Sequence, residues 1–342
     1  MSVARILPIS AEHPEPARLA EAAAILRGGG LVAFPTETVY GLGANALDPR
    51  AVARIYSVKG RPAFNPVIAH VASVEQARAL AATWPPLADR LAEAFWPGPL
   101  TLVVSKAAMV PDIVTAGAET IAIRVPAHPV ALALIREAGV PLAAPSANRS
   151  TEVSPTTAEH VAKGLGGRVD LILDAGPTAV GIESTVLDLT GPRPRILRPG
   201  PIGRAAIEAV TGPLGDADDA PARDEPRKSP GMMNRHYAPR AKIMLFQPDR
   251  RDDATEELRR AMISGVTVGA MILGGELPGP HVLRMPDDPA AYARALYAAL
   301  HQLDDLGCGL VAIEMVPDTI LWGGVRDRLT RAGTPADQGA TG

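Results

Sequence analysis

Lys59-Gly60-Arg61-Pro62-Ala63-Phe64-Asn65-Pro66 joins two readable elements, and its reading decides the fold. Upstream, Asp48 can cap a helix whose first position suits Pro49, with Val52, Ile55 and Tyr56 along one face. Downstream, Val67-Ile68-Ala69-His70-Val71 reads as a strand. The octet is then a stiff helix-to-strand connector, pinned by a glycine and two prolines, with two cations just past the helix end. Rigid scaffolds present functional groups on such connectors. Lysine is a compact point charge, and the arginine fork can grip a phosphate at two oxygens. Taken alone, the octet also reads as a solvated basic turn.

Working outward, apolar periodicity predicts helices at 15–27, 74–82, 86–95, 129–138, 157–165 and 202–210. Short apolar runs predict strands at 31–35, 100–104, 121–126, from 142, 171–173, from 184 and near 196. Thr36 to Gly43 reads as a turn of hydroxyls closing on glycines. Strands alternate with helices, so the class is α/β, and the closely spaced short strands imply a mixed sheet. Residues 211–240 are rich in Gly, Pro, Asp and Arg and read as a linker. A second α/β unit follows over 241–342, with strands at 242–246, 266–272 and 310–315 and helices at 253–263, 289–303 and 324–332. The expected domains are thus 1–210 and 241–342, with 333–342 expected to be frayed.

A chain of 342 residues exceeds one typical domain. Hydrophobic residues make up 47% but aromatics only 4%, so aliphatic and alanine packing must carry the cores. The net charge of −3 is no footprint for tight binding of a nucleic-acid backbone. One cysteine, Cys308, excludes a disulfide framework and a cysteine-based zinc site within the chain, and a buried inert thiol is expected. The N-terminal Met-Ser-Val-Ala-Arg-Ile-Leu-Pro lacks the apolar core of a signal peptide, and no apolar run is long enough to span a bilayer. A soluble cytoplasmic protein is expected.

Polar groups recur at strand ends and connectors: the hydroxyls of 36–40, the cations of 59–65, the turn at 144–148, and Ser184 with Arg198. Ligands gather at strand ends in open α/β sheets, and several cations beside small hydroxyls suit a polyphosphate and a small polar substrate. No G-x-x-x-x-G-K-[ST] loop occurs, and no G-x-G-x-x-G opens a helix after the first strand. Arg124, inside the apolar run Ile121 to Pro126, must either face solvent on an edge or meet an anion.

The strings F-P-T-E-T-V-Y-G-L-G at 34–43, K-G-R-P-A-F-N-P at 59–66, W-P-G-P-L-T at 96–101, R-V-P at 124–126, A-P-S-A-N at 144–148 and E-S-T-V at 183–186 together resemble the Sua5/YrdC/YciO family. The likeness spans roughly 7–207. The linker's S-P-G-M-M-N-R-H-Y-A-P at 229–239 and the second unit resemble the longer, two-domain Sua5 form. The resemblance implies a YrdC-like twisted mixed sheet with a concave basic cleft, followed by a smaller Rossmann-like domain. It implies L-threonylcarbamoyladenylate synthesis from L-threonine, bicarbonate and ATP, with Mg²⁺ accompanying the ATP. The product would pass to a separate tRNA threonylcarbamoyl transferase complex for modification of adenosine 37. Tight binding of tRNA and attachment to a membrane are not expected.

Carried over position by position, the resemblance places Thr38, His70, Arg124, Ala144 and Ser184 around L-threonine. It places Arg61, Asn65, Thr120, Ser146, Ser154 and Arg198 around ATP, with Lys59 next to the phosphates and Tyr237, on the linker, closing over the nucleotide. Lys59 and Arg61 would be the catalytic cations, and no resident metal site is expected. Adenylyl transfer of this kind asks for positioning and charge neutralisation rather than a covalent nucleophile. His70 is read as a positioning group ahead of a general base. The alternative function is an RNA-binding module of the same fold. That reading requires salt-sensitive RNA affinity independent of ATP, yet no basic stripe interleaved with aromatics is present.

Overall fold

In a computed structural model that describes residues 5–215 and 236–334, the decisive helix forms as its caps dictate. Asp48 accepts the N–H of Arg50, Pro49 takes the first position of helix α2 (Pro49–Lys59), and Gly60 ends it with φ 60°. A non-glycine residue is strained in that left-handed region. One detail differs from the expected connector. Lys59 is the last residue of the helix and is buried, so only Arg61 lies beyond the helix end.

The chain divides into two units, Met1–Ser150 with Ser154–Met232, and Thr151–Val153 with Met233–Gly342. In the first unit the strands are β1 (Ile6–Pro8), β2 (Val32–Pro35), β3 (Tyr40–Asn45), β4 (Ala69–His70), β5 (Leu100–Ser105), β6 (Thr120–Arg124), β7 (Leu142–Ala143), β8 (Leu171–Asp174), β9 (Thr185–Asp188) and β10 (Arg195–Arg198). They form one sheet in the order β1-β8-β2-β3-β7-β4-β6-β5-β9-β10. Pairing is parallel for β1/β8, β2/β8, β4/β6 and β5/β9 and antiparallel for the remaining neighbours, so the sheet is mixed as expected. The run 36–43 is not all turn. From Tyr40 it becomes β3, which hairpins back on β2 with Pro35 opposite Tyr40 and Val32 opposite Gly43.

The sheet is buried on both faces, and the alternation along β2 shows it. Val32 and Phe34 join a core with Leu19, Ala22 and Leu26 of helix α1 (Pro16–Arg27) and Leu134 and Ile135 of α6 (Pro129–Ala138). Leu31 and Ala33 join a second core with Val52 and Ile55 of α2 and Val161 and Leu165 of α7 (Ala158–Leu165). Few of these residues are aromatic, in keeping with the composition.

The second unit carries a four-stranded, all-parallel sheet, ordered β11-β14-β12-β13, from β11 (Lys242–Phe246), β12 (Val268–Ile272), β13 (His281–Arg284) and β14 (Leu310–Glu314). Its helices are α9 (Arg251–Ile263), α10 (Pro289–Asp305) and α11 (Gly323–Gly333). Strand β13 went unread in the sequence because His281–Arg284 is a short, half-exposed run. Cys308 is buried here, and burial pushes its thiol pKa up, as befits an inert thiol. The linker string over 229–235 lies outside the described residues. No described helix is long and apolar enough to cross a membrane.

Candidate active site

The candidate residues of the first unit converge because short neighbouring strands carry them. Arg124 ends β6 and His70 ends β4, and the two are register partners in the parallel pair. Strand β7 lies on the other side of β4, with Ala69 opposite Ala143. The next residue, Ala144, donates its N–H to Ile68 O at 2.9 Å. Ser146 bridges to Gly41 of β3, which brings the 144–148 turn against the hairpin that carries Thr38. Gly181 N–H donates to Thr38 O at 3.1 Å, so the segment leading to Ser184 joins the same centre.

Arg124 has met one carboxylate, one carbonyl and one hydroxyl rather than solvent. Its side chain is 4% exposed, and Nε donates to Gly98 O at 3.1 Å. Nη1 donates to Thr38 Oγ1 at 3.0 Å, and Nη2 lies 2.6 Å from Glu37 Oε1. The hydroxyl relay behind it has a fixed direction. Thr36 gives its only hydroxyl hydrogen to Val39 O at 2.6 Å, so the 2.8 Å contact between Thr36 and Thr38 must run from the Thr38 hydroxyl. Thr38 Oγ1 therefore has lone pairs but no hydrogen to offer towards Arg124 or a ligand.

His70 is buried, with its ring edge-on to Phe34 at 6.5 Å. Burial first, and the Arg124 guanidinium second, push its pKa down to about 3. The imidazole is neutral at physiological pH and a weak base, which favours the positioning role. Its Nδ1 is buried without a hydrogen-bond partner.

The cations sit deep. Lys59 Nζ donates to Ser146 O at 2.6 Å and to Asn148 O, with Asn148 Oδ1 at 3.5 Å. Arg61 donates from Nε to Asn65 O at 2.9 Å and from Nη2 to Pro66 O at 2.6 Å. Tyr56 Oη donates into the same corner, 3.0 Å from Asn65 O and 3.0 Å from Ile113 O. Across the sheet, Arg198 donates from Nε to Ser184 O at 3.0 Å and from Nη2 to Ser184 Oγ at 3.1 Å. Ser184 Oγ also meets Thr101 Oγ1 at 2.7 Å, and Ser154 Oγ donates to Glu183 Oε1 at 2.5 Å. Buried cations held by main-chain oxygens are charges fixed in place, which can act electrostatically on an anionic ligand.

Two expected members stand apart from this network. Thr120 begins β6, four residues from Arg124 and hence about 13 Å along the strand. Its hydroxyl is buried without a hydrogen-bond partner. Tyr237 belongs to the second unit and is 1% exposed. Its ring lies 5.7 Å from Tyr297, with the Arg328 guanidinium 5.2 Å from its centroid. Sequence reasoning passed over Glu37, Glu183, Thr101 and Asn148. Each was inside a quoted string, and for Glu37 and Glu183 a carboxylate next to a hydroxyl residue in a strand-end run was the available signal.

The Sua5_yciO_yrdC family model, described as telomere recombination, matches residues 24–200, and a model for the C-terminal domain of threonylcarbamoyl-AMP synthase matches 202–334. The chain belongs to the Sua5/YciO/YrdC family. Within that family it is 44% identical over 325 residues to the threonylcarbamoyl-AMP synthase of Pyrococcus abyssi, covering 94% of this chain and 95% of that one. It is 43% identical to the Bacillus subtilis protein of the same name, covering 92% of each. A crystal structure of P. abyssi Sua5 complexed with L-threonine superposes with a TM-score of 0.89 at 44% identity, covering 96% of this chain and 97% of that one. Both units of this Sua5/YciO/YrdC chain are therefore matched.

Proposed function

We propose that this chain is a threonylcarbamoyl-AMP synthase that joins L-threonine, bicarbonate and ATP and releases pyrophosphate. The single observation that carries the reading is Arg124, a buried guanidinium at a strand end, flanked by a neutral histidine and an acceptor-only threonine hydroxyl. The guanidinium suits the carboxylate of a small amino acid, and the acceptor-only hydroxyl suits its amino group. The relatives named threonylcarbamoyl-AMP synthase and the threonine-bound Sua5 structure support the same substrate.

In this reading Thr38, His70, Arg124, Ala144 and Ser184 surround threonine. Arg61, Asn65, Ser146, Ser154 and Arg198 hold ATP, and Lys59 faces its phosphates. Thr120 and Tyr237 are assigned to the nucleotide on family resemblance alone. The threonine ammonium gives up a proton, the free amine attacks bicarbonate to form a carbamate with loss of water, and the carbamate oxygen attacks the α-phosphorus in line as pyrophosphate leaves. The protein's part is to align the reactants and neutralise charge. Magnesium enters with ATP as part of the substrate. Among the described residues no cluster of three or more His, Cys, Asp or Glu could hold a metal of its own, and magnesium bound through phosphates and waters needs none. The product is consumed by a tRNA threonylcarbamoyl transferase complex in the cytoplasm, without tight tRNA binding by this chain, in keeping with its net charge of −3.

The test is pyrophosphate release from ATP with threonine and bicarbonate omitted in turn. Release must depend on both. Turnover indifferent to either, or ATP-independent, salt-sensitive RNA binding in its place, overturns the reading.

A further inference from the structure

Around Arg124 three buried polar atoms lack an aligned hydrogen bond within the protein. Arg124 Nη2 and Glu37 Oε1 approach to 2.6 Å, yet neither has a hydrogen-bond partner of proper alignment. His70 Nδ1, on the register-paired strand, is likewise buried and unpartnered. Buried polar groups in folded proteins are otherwise nearly always paired. Here a donor and an acceptor of opposite charge form an ion pair in which neither atom makes an aligned hydrogen bond.

Glu37 itself is firmly placed. Oε2 accepts the N–H of Ala127 at 3.1 Å, and its main-chain oxygen accepts the N–H of Val180 at 2.8 Å. Its side chain is 11% exposed. One carboxylate oxygen is thus anchored by the backbone, while the other is presented next to the guanidinium. If Glu37 only neutralised Arg124, the pair would gain most by aligning as a two-pronged hydrogen bond.

We infer that Glu37 is the acidic half of a clamp for an α-amino acid zwitterion, taking the α-ammonium while Arg124 takes the α-carboxylate. This rests on the reading of Arg124 above. An amino acid carries its ammonium on the carbon next to its carboxylate, so a carboxylate seated on Arg124 Nη2 leaves the ammonium within reach of Glu37 Oε1. The hydroxyl of Thr38 can only accept in that direction, and His70 is neutral, so neither duplicates the negative charge. The clamp selects against ligands lacking either charge.

The experiment measures binding of three ligands to the full chain: L-threonine, L-threoninamide, and the hydroxy acid in which a hydroxyl replaces the ammonium of threonine. The unmodified protein should prefer threonine to the hydroxy acid by about tenfold or more, the contribution of a hydrogen bond between charged groups. Glu37→Gln should bring that ratio to within about twofold while retaining most of the preference for threonine over threoninamide. Arg124→Lys should do the reverse, weakening the preference over threoninamide. If Glu37→Gln is poorly folded, Glu37→Asp decides, because its shorter reach should cut the hydroxy-acid ratio while keeping the charge. An unchanged hydroxy-acid ratio in the Glu37 variants, alongside a lost amide preference in Arg124→Lys, overturns the clamp and leaves the Arg124 reading standing. An unchanged amide preference in Arg124→Lys overturns the Arg124 reading itself.

Discussion

The ammonium of Lys59 lies 2.6 Å from the main-chain oxygen of Ser146, a residue 87 positions along the chain. The contact joins the last turn of a helix to the turn after a two-residue strand, and Ser150 N–H returns the link by donating to Lys59 O at 2.8 Å. The cation is therefore part of the framework. Its charge is fixed in place by the carbonyls before any ligand arrives.

Lys59→Ala removes that charge and leaves the oxygens of Ser146 and Asn148 buried without their donor. Turnover of ATP to pyrophosphate should fall by about a hundredfold or more, the loss typical of removing one preorganised charge-stabilising donor. Arg61→Ala should act similarly, through lost contacts to Asn65 and Pro66. A steady-state pyrophosphate assay with saturating threonine and bicarbonate checks both. Full turnover in both variants would remove these cations from the phosphate site.

Two glycines separate backbone strain from close approach. A methyl group at Gly60 meets nothing within 4 Å, so Gly60→Ala carries only the left-handed φ of 60° and should destabilise by about 1 kcal/mol. A methyl group at Gly200 would lie 2.5 Å from Thr185 N and 2.8 Å from Glu183 O, which are backbone atoms that cannot swing aside. Gly200→Ala should displace the start of β9, separating Ser184 from Arg198, with a larger loss of both melting temperature and activity. Equal effects of the two substitutions would contradict this assignment.

The sequence disclosed helices and central strands well, because caps and apolar periodicity are local. Asp48-Pro49 with Gly60, and the apolar faces of α6 and α10, needed no tertiary information. Strand β3 was hidden because Tyr40-Gly41-Leu42-Gly43 has a turn's composition, and only pairing with β2 and β7 makes it a strand. The site was legible as a set of residue types at strand ends. Its wiring was not, since the partners of Lys59, Arg124 and Arg198 are largely main-chain oxygens or side chains that only folding brings near. Glu37 illustrates the limit. It sits one residue from Thr38 in the sequence, but its meaning depends on Arg124, some 86 residues beyond Thr38.

His70 gives the fold a signed pH dependence. Its pKa lies near 3 in the folded protein against 6.5 for the free side chain, so between those values the unfolded chain binds more protons. Stability should rise with pH through that window and gain nothing further from His70 above it. Urea midpoints at pH 5 and pH 7 measure the slope, and His70→Asn should be less pH-sensitive than the unmodified protein. An identical difference in the two proteins would mean that His70 is protonated in the native state.

Tyr237 is the sharpest test of the linker's end. Its φ of 61° is costly for a bulky residue, and its ring is packed against Tyr297, His236 and the guanidinium of Arg328 within the second unit. Tyr237→Ala removes that packing and should destabilise the second unit by about 3–5 kcal/mol, as for other buried aromatic truncations. The family resemblance adds a separate expectation, a raised KM for ATP. Tyr237→Phe distinguishes the two, since it keeps the ring and removes only the hydroxyl. If the hydroxyl serves the nucleotide, Tyr237→Phe should raise the KM for ATP with the melting temperature nearly unchanged and the KM for threonine unaffected. If instead only Tyr237→Ala alters kinetics, and in proportion to its loss of stability, Tyr237 is an anchor for the chain rather than a group that touches ATP.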